Sequence, residues 1–228
     1  MLPYYYGKRK LLLVFWKFYA ILQSDCIPIF GGHMGIEKFP ENIREKFEIH
    51  EWKHAIAILE NDFPEEWKDL IEMLTQLSIP VEWVKEPGGR KSKIAEWIDD
   101  FLVQQRGWAE KQFMTKFIVD ETEHDTPTHK VDCFKNEVAL ELEWNNKDPF
   151  FDRDLNNFRL LYDLRTVSVG IIITRCDELQ ELFKDIGKGA SYGASTTHMS
   201  KLLPRIEGGG GAGCPIIAIG IKRNCVEE

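Results

Sequence analysis

The chain lacks any arrangement of cysteines that would cross-link a small fold through disulfides or bind zinc. Its 228 residues include five cysteines, an odd number, and no two of them form a C-x-x-C pair. An odd and scattered set favours reduced thiols over a disulfide framework or a zinc site. The sequence therefore predicts a cytoplasmic protein. The five are Cys26, Cys133, Cys176, Cys214 and Cys225.

The chain also lacks an excess of positive charge. It has 29 lysines and arginines against 37 aspartates and glutamates, which gives a formal net charge of −8. This balance excludes a uniformly basic surface that coats DNA. It leaves room for an enzyme that gathers a few cations in a cleft and carries an acidic exterior elsewhere.

No hydrophobic run is long enough to span a bilayer. The longest candidate, residues 11–22, is interrupted by Lys17 and falls short of the roughly 20 apolar residues required. No small-residue cleavage site follows it, which disfavours a secretory signal. We expect residues 1–35 to be an N-terminal extension of uncertain role. Residues 36–228 have a suitable length and composition for a single enzyme-sized α/β domain.

Beyond the extension, apolar spacing and turn residues predict alternating helices and strands. Helices are predicted over residues 40–61, 63–77, 91–106 and 152–165, with another beginning near His198. Strands are predicted over residues 113–119, 167–174 and 215–221. Loops are predicted over residues 80–89, 121–128 and 208–211, the last as a flexible glycine connector.

The most informative stretch is residues 128–146, T-H-K-V-D-C-F-K-N-E-V-A-L-E-L-E-W-N-N. Its second run alternates so that Glu141 and Glu143 lie on one face of a strand, with leucines on the other. A hairpin that turns near Asn136 would bring Asp132 beside them.

Three converging carboxylates repel one another unless a hard divalent cation neutralises them, and oxygen ligands suit Mg²⁺ or Mn²⁺. The pattern thus predicts a metal site. An amphipathic strand with a solvated acidic face is the alternative, because exposed acidic faces are common.

The order of elements around this hairpin resembles that of PD-(D/E)xK nucleases. The chain has D-(8 residues)-E-x-E, a polar loop, a helix and then a buried apolar strand. Within that superfamily it is most similar to type II restriction endonucleases of the BglII and BamHI kind, over about residues 38–221. Glu143 stands where the common motif has lysine, and the BamHI-like branch also carries a carboxylate there.

The resemblance implies a central mixed β-sheet flanked by helices, and Mg²⁺-dependent hydrolysis of double-stranded DNA to 5′-phosphate and 3′-hydroxyl ends. Asp132 and Glu141 would bind the metal, and the backbone carbonyl of Leu142 is a further candidate ligand. Glu143 would orient the attacking water or act as a general base. Glu96, on a predicted helix, is the best match to an additional metal-binding carboxylate, although a surface glutamate is an equally good interpretation.

Two segments are candidates for DNA contact. The first follows the acidic strand and contains Asn145, Asn146 and Lys147, which can read bases or bind phosphate, although it also fits an ordinary turn. The second spans residues 187–201, where small residues and hydroxyls let the backbone approach phosphates. The Ser-Thr-Thr run in it would alternatively cap the next helix. The candidates in and beside this segment are Lys188, Ser195, Thr196, Thr197, His198, Lys201 and Arg205.

The predicted helix over residues 152–165 is more apolar than one sheet contact usually needs. By resemblance it would build a homodimer interface that matches a palindromic DNA site. Burial against its own sheet is the alternative.

The leading functional hypothesis is a type II restriction enzyme, with a GATC-centred palindrome as the expected target and a cognate DNA methyltransferase as a possible partner. The competing hypotheses are a non-catalytic DNA-binding protein on a nuclease fold and a structure-specific repair nuclease.

Overall fold

A computed structural model describes residues 35–86 and 91–227. The predicted extension up to Met34, and the Pro-Gly-Gly end of the predicted loop over residues 80–89, lie outside these ranges. The described residues belong to one compact unit that begins at Gly35. None of the helices in them is long and apolar enough to cross a membrane.

The helices and strands alternate along most of the chain. The helices are α1 Glu41–Lys46, α2 Ala55–Asp62, α3 Pro64–Gln76, α4 Val81–Lys85, α5 Lys93–Asp99, α6 Pro149–Asp163, α7 Leu179–Asp185 and α8 Met199–Glu207. A π-helical turn, Asp100–Gln104, continues α5. The strands are β1 Phe47–Trp52, β2 Ile79–Pro80, β3 Ala109–Lys111, β4 Lys116–Val119, β5 Thr122–Asp125, β6 Val131–Lys135, β7 Val138–Glu143, β8 Val169–Arg175, β9 Ile216–Ile221 and β10 Val226–Glu227.

The main sheet has six strands in the order β1-β9-β8-β7-β6-β3. Strands β7, β8 and β9 run parallel, whereas β1, β6 and β3 are antiparallel to their neighbours. Strands β8 and β9 are buried along their whole length, which explains their unbroken apolar sequences. This mixed sheet flanked by helices confirms the predicted fold class.

Each face of the sheet carries its own apolar core. On one face, β7 contributes Val138, Leu140 and Leu142, against helices α1 to α5 and α7. On the other face, Ala139 packs with α6 and α8. The predicted alternation of β7 is therefore confirmed. Its consequence is that Glu141 and Glu143 share the face covered by α6.

The helix predicted over residues 40–61 is wrong. The chain forms α1, then the edge strand β1, and only then α2. Ile43, Phe47 and His50 fit helical spacing. Phe47 and Ile49, however, alternate at the strand period and pair in register with β9. Lys53 and His54 adopt positive φ angles and turn the chain from β1 into α2. Pairing along the exposed edge of β9 thus overrides local helix spacing.

Three predicted loops contain ordered structure. The polar stretch 121–128 includes β5, which forms a hairpin with β4 through Asp120 and Glu121 at positive φ. The loop predicted over residues 80–89 contains α4. The glycine run is a succession of hydrogen-bonded turns, with Gly210 N donating to Arg205 O at 2.8 Å, rather than a loose connector.

A network of charges fastens the turn between β6 and β7 to α3. Lys135 Nζ lies 2.9 Å from Asp69 Oδ2 and 3.8 Å from Glu66 Oε1. Trp108 Nε1 also donates to Asp69 Oδ2, and Asn136 Nδ2 donates to Glu66 Oε1. Both acids are buried, so Lys135 supplies the positive charge that makes their burial tolerable.

We predict that Lys135→Met destabilises the protein by about 3 kcal/mol, because it leaves two buried carboxylates without their cation. Urea denaturation measures this loss. Lys130→Met is the matched control, since Lys130 pairs with Glu110 at the exposed surface and its loss should cost less than about 1 kcal/mol. Equal effects of the two changes would contradict the proposed role of Lys135.

Candidate active site

The hairpin of β6 and β7 is closed by a two-residue turn. Asn136 and Glu137 both have positive φ angles, 42° and 68°, as the turns that match strand twist require. Above the turn, Lys135 pairs with Val138, Phe134 with Ala139, and Cys133 with Leu140. The predicted hairpin is therefore present, and its turn includes Asn136 as expected.

The strands separate beyond the Cys133–Leu140 pair, and two carboxylates take over the hydrogen bonds of the ladder. Leu142 N donates to Asp132 Oδ2 at 3.0 Å, and Asp132 N donates to Glu141 Oε2 at 3.3 Å. Each side chain thus satisfies a backbone donor of the opposite strand. This reciprocal arrangement holds Asp132 and Glu141 next to each other where the strands part.

Glu141 is an unusual buried acid. Its side chain is almost fully buried, and within the described residues its Oε1 atom has no hydrogen-bond partner. Desolvation raises the pKa of Glu141 well above its usual range, and the nearby charges of Asp154 and Asp132 raise it further. The site therefore favours a positive partner for this oxygen.

Glu143 is held by two different donors. Arg153 Nη2 lies 3.1 Å from Glu143 Oε1, and Asn146 Nδ2 donates to Oε2 at 2.8 Å. Desolvation, followed by the charge and hydrogen bond of Asp154, raises the pKa of Glu143 to about 9. Arg153 and Asn146 oppose this rise, because each favours the ionised carboxylate.

Sequence reasoning missed Arg153 and Asp154, both on α6. Asp154 is fully buried, Arg153 binds its Oδ1 atom through Nε and Nη2, and the Oδ2 atom has no partner among the described residues. A signal was present, because Asp154 interrupts the apolar stripe that Phe151, Leu155 and Phe158 form at helical spacing. A charged residue on the buried side of a helix indicates a partner beneath it.

The carboxylate oxygens at the point where β6 and β7 separate are suitable ligands for a hard divalent cation. Asp132 and Glu141 are adjacent carboxylates, and the unpaired Glu141 oxygen is a buried acceptor. Within residues 35–86 and 91–227, however, no three His, Cys, Asp or Glu side chains are grouped to hold a metal ion. Glu143 is engaged by Arg153 and Asn146, so the expected convergence of three carboxylates reduces to a pair.

An open cleft of about 1030 Å³ lies beside this pair. Asp132 and Leu142 form part of its wall, and Glu96, in the first turn of α5, lines it as well. Glu96 is exposed and binds Lys93 Nζ at 2.7 Å. The structure thus brings Glu96 to the same cleft as the hairpin. Asn145, Asn146 and Lys188 complete the set of predicted residues along its wall.

The two segments predicted to contact DNA lie against each other. Lys147 and Thr196 form an isolated antiparallel bridge, and Thr197 N donates to Asn146 O at 2.9 Å. Lys147 Nζ also lies 3.3 Å from Ser195 Oγ. Residues far apart in sequence therefore build one polar surface at the end of β7.

Several residues of the second segment have structural partners instead. Thr196 and Thr197 are buried, and Thr196 Oγ1 accepts a hydrogen bond from Arg175 at 2.9 Å. Both hydroxyls are buried in this conformation, and their contact with DNA stays a prediction. His198 binds Asp177 Oδ1 at 2.8 Å.

The start of α8 is capped by Asp177 rather than by the Ser-Thr-Thr run. Asp177 Oδ2 accepts from Ser200 N at 3.1 Å. Lys201 pairs with Asp148 at 2.9 Å, and Arg205 pairs with Asp152 at 2.9 Å. Both cations therefore tie α8 to the start of α6, and neither is free for a phosphate in this conformation.

A mixed sheet with a carboxylate-bearing hairpin at an open cleft defines a restriction-type nuclease. The chain belongs to the BglII/BglIII restriction endonuclease family, because the model of that family, described as restriction endonuclease BglII/BglIII, matches residues 47–221. It is thus a site-specific deoxyribonuclease of type II. A comparison with curated proteins finds no match.

The buried acids predict a specific dependence of stability on pH. Because the folded-state pKa of Glu143 lies near 9 and its ordinary value is 4.5, the folded protein holds a proton that the unfolded chain releases. In EDTA, the free energy of unfolding should therefore fall as the pH rises from about 5 to 9.

Glu143→Gln should flatten this fall, since glutamine does not titrate. Chemical denaturation at several pH values measures it. The control is Glu82→Gln on an exposed position of α4, which should leave the slope unchanged. A wild-type slope that persists in Glu143→Gln would refute the assignment.

Proposed function

We propose that this restriction endonuclease hydrolyses double-stranded DNA at a short palindrome, uses Mg²⁺, and leaves 5′-phosphate and 3′-hydroxyl ends. The observation that carries the proposal is the Asp132–Glu141 pair: Glu141 has an unpaired buried oxygen, and Asp132 lines a cleft together with asparagine and lysine. Mn²⁺ is expected to substitute, because it accepts the same oxygen ligands.

Asp132, Glu141 and the backbone carbonyl of Leu142 would hold the ion. Bound there, Mg²⁺ would polarise a phosphodiester oxygen, acidify a bound water and stabilise the departing oxygen. Glu96, which also lines the cleft, is the candidate for an additional carboxylate ligand.

We assign to Glu143 the role of orienting the attacking water and accepting its proton. Water oxygen attacks phosphorus, the bond from phosphorus to the 3′ oxygen breaks, and that oxygen leaves as the 3′-hydroxyl after taking up a proton. Only an ionised Glu143 can accept a proton. Arg153 supplies the positive charge that favours this form and fixes the carboxylate in place.

Sequence readout falls to the exposed polar residues at the end of β7. Asn145 and Asn146 are exposed and line the cleft, and Lys147, Lys188 and Ser195 are positioned to bind phosphates. Asn146 also donates to Glu143. We infer that a base or phosphate that engages Asn146 changes the surroundings of Glu143, so that recognition and chemistry are coupled through one side chain.

A palindromic target implies two copies of the chain related by a two-fold axis. We therefore propose that the enzyme acts as a homodimer in the cytoplasm. A methyltransferase that modifies the same site would protect the host DNA.

The decisive experiment is cleavage of unmethylated phage DNA. We expect discrete fragments with Mg²⁺ and none with EDTA, and sequencing their ends gives the target. Glu141→Ala should reduce cleavage below detection while DNA binding persists, because it removes a ligand and leaves the cleft. Glu82→Ala, at an exposed helix position, is the matched control and should cleave normally.

Cleavage that survives Glu141→Ala would refute the assignment of this residue. Loss of folding in that variant would mean that its role is structural, and Asp132→Asn would then test the pair. Binding without cleavage by the wild-type protein would favour a non-catalytic DNA-binding protein.

A second experiment separates base readout from phosphate binding. In the Glu141→Ala background, Asn145→Ala should weaken binding to the target about 10- to 100-fold, because a bidentate base contact contributes about 1–3 kcal/mol. Binding to unrelated DNA should stay the same. Lys188→Ala is the comparison, since loss of a phosphate contact should weaken both kinds of binding equally. Equal weakening by Asn145→Ala would exclude base readout.

A further inference from the structure

Exposed apolar side chains concentrate on one part of the described surface. Six large hydrophobic residues are exposed, and five of them lie on or beside the β4–β5 hairpin. Met114 and Ile118 are each 70% exposed, and Phe117 is 51% exposed. Val119 and Leu164 complete the group, and Leu164 follows the end of α6. Soluble monomers rarely leave such a cluster in water, so it indicates an interaction surface.

The cluster includes a shallow groove. Phe113, Met114 and Phe117 form one side, and Leu161 and Leu164 form the other, around a volume of about 300 Å³. This volume accommodates one or two aliphatic side chains. The hairpin itself carries such side chains at Ile118 and Val119.

The hairpin backbone is also incompletely paired. Among the described residues, β4 and β5 form a two-stranded sheet of their own and pair with no other strand. Two-stranded hairpins are marginal alone, and exposed edges are normally covered. A partner that packs on this surface would cover both the exposed apolar side chains and the unpaired strand edges.

Helix α6 buries most of its apolar face within its own chain. Leu155, Phe158 and Leu161 are buried in the core beneath the sheet. Burial against its own sheet, the alternative interpretation, therefore accounts for most of its apolar face. Apart from Phe150 on α6, the exposed large apolar side chains of the described residues lie on or beside the hairpin and at Leu164.

Charge narrows the choice of partner. Asp120 and Glu121 form the tip of the hairpin, and Glu123 and Asp125 share a single cation, Lys116. An acidic hairpin repels DNA phosphates and anionic lipid. The same surface carries Arg165, exposed and next to Leu164, and no side-chain partner is seen for it in the described part of the chain. The surface is thus complementary to itself in charge.

We propose that the β4–β5 hairpin docks on a second copy of this chain, with Ile118 and Val119 entering the partner's groove. Arg165 of each copy would face the acidic tip of the other. The contact is isologous, because each copy supplies both the hairpin and the groove. This proposal names the contact surface of the proposed homodimer. It rests on the proposed function only for the reason why a dimer is needed.

Sedimentation velocity of the full chain, without DNA or metal, tests the proposal. At micromolar concentration, the apparent mass of the wild-type protein should be twice the chain mass of 26.5 kDa. Met114→Ser combined with Ile118→Ser should raise the dimer dissociation constant at least tenfold. Both side chains are exposed, so the double variant should remain folded, as circular dichroism verifies.

Charge reversal then tests the pairing. Arg165→Glu, and separately Asp120→Arg with Glu121→Arg, should each weaken the dimer, whereas the combined variant should restore it. Arg159→Glu is the matched control, because Arg159 is an exposed arginine of α6 outside the groove, and it should leave the dimer intact. Failure of the combined variant to recover would refute the contact between Arg165 and the tip.

A wild-type protein that is monomeric throughout, or a dimer that the serine variants leave unchanged, would overturn the proposal. These outcomes are independent of the nuclease assay. A dimer without cleavage would refute the proposed nuclease activity alone. Cleavage by a monomer would refute the hairpin contact and the proposed homodimer, and would leave the nuclease activity intact.

Discussion

The separation of β6 from β7 is the feature on which the site depends. Past Cys133 and Leu140, the backbone donors of Asp132 and Leu142 have no acceptor on the facing strand, and the carboxylates of Glu141 and Asp132 take that place. A buried amide without an acceptor is costly, so the exchange stabilises the gap between the strands. It also holds two negative charges together at the edge of a cleft.

The free-energy cost of burying the acidic side chains has to be offset by other interactions. Glu141, Glu143 and Asp154 are all buried on the face covered by α6, and Arg153 is the cation that binds two of them. One positive charge does not balance three carboxylates. Desolvation first, and then this surplus of negative charge, raises the pKa values of Glu141 and Glu143, and a divalent ion at Asp132 and Glu141 would reduce the surplus.

A short path of hydrogen bonds joins Glu143 to the loops that are proposed to read DNA. Asn146 binds Glu143 through its side chain and Thr197 through its backbone. Thr196 in turn receives the guanidinium of Arg175, which β8 carries into the interior. The polar surface at the end of β7 is thus built on the sheet itself, which favours a rigid placement of the residues proposed to read DNA.

The sequence by itself determined the hairpin, its turn, and the alternation that puts Glu141 and Glu143 on one face, because strand periodicity and turn residues act locally. It also determined the buried strands β8 and β9 through their unbroken apolar runs. Only the tertiary structure decided that β1 is a strand, since pairing with β9 competes with an equally good helical spacing. It likewise decided that Thr196 and Thr197 are buried and that Arg153 and Asp154 lie beneath the acids. These outcomes depend on contacts between residues far apart in the chain, which no local pattern encodes.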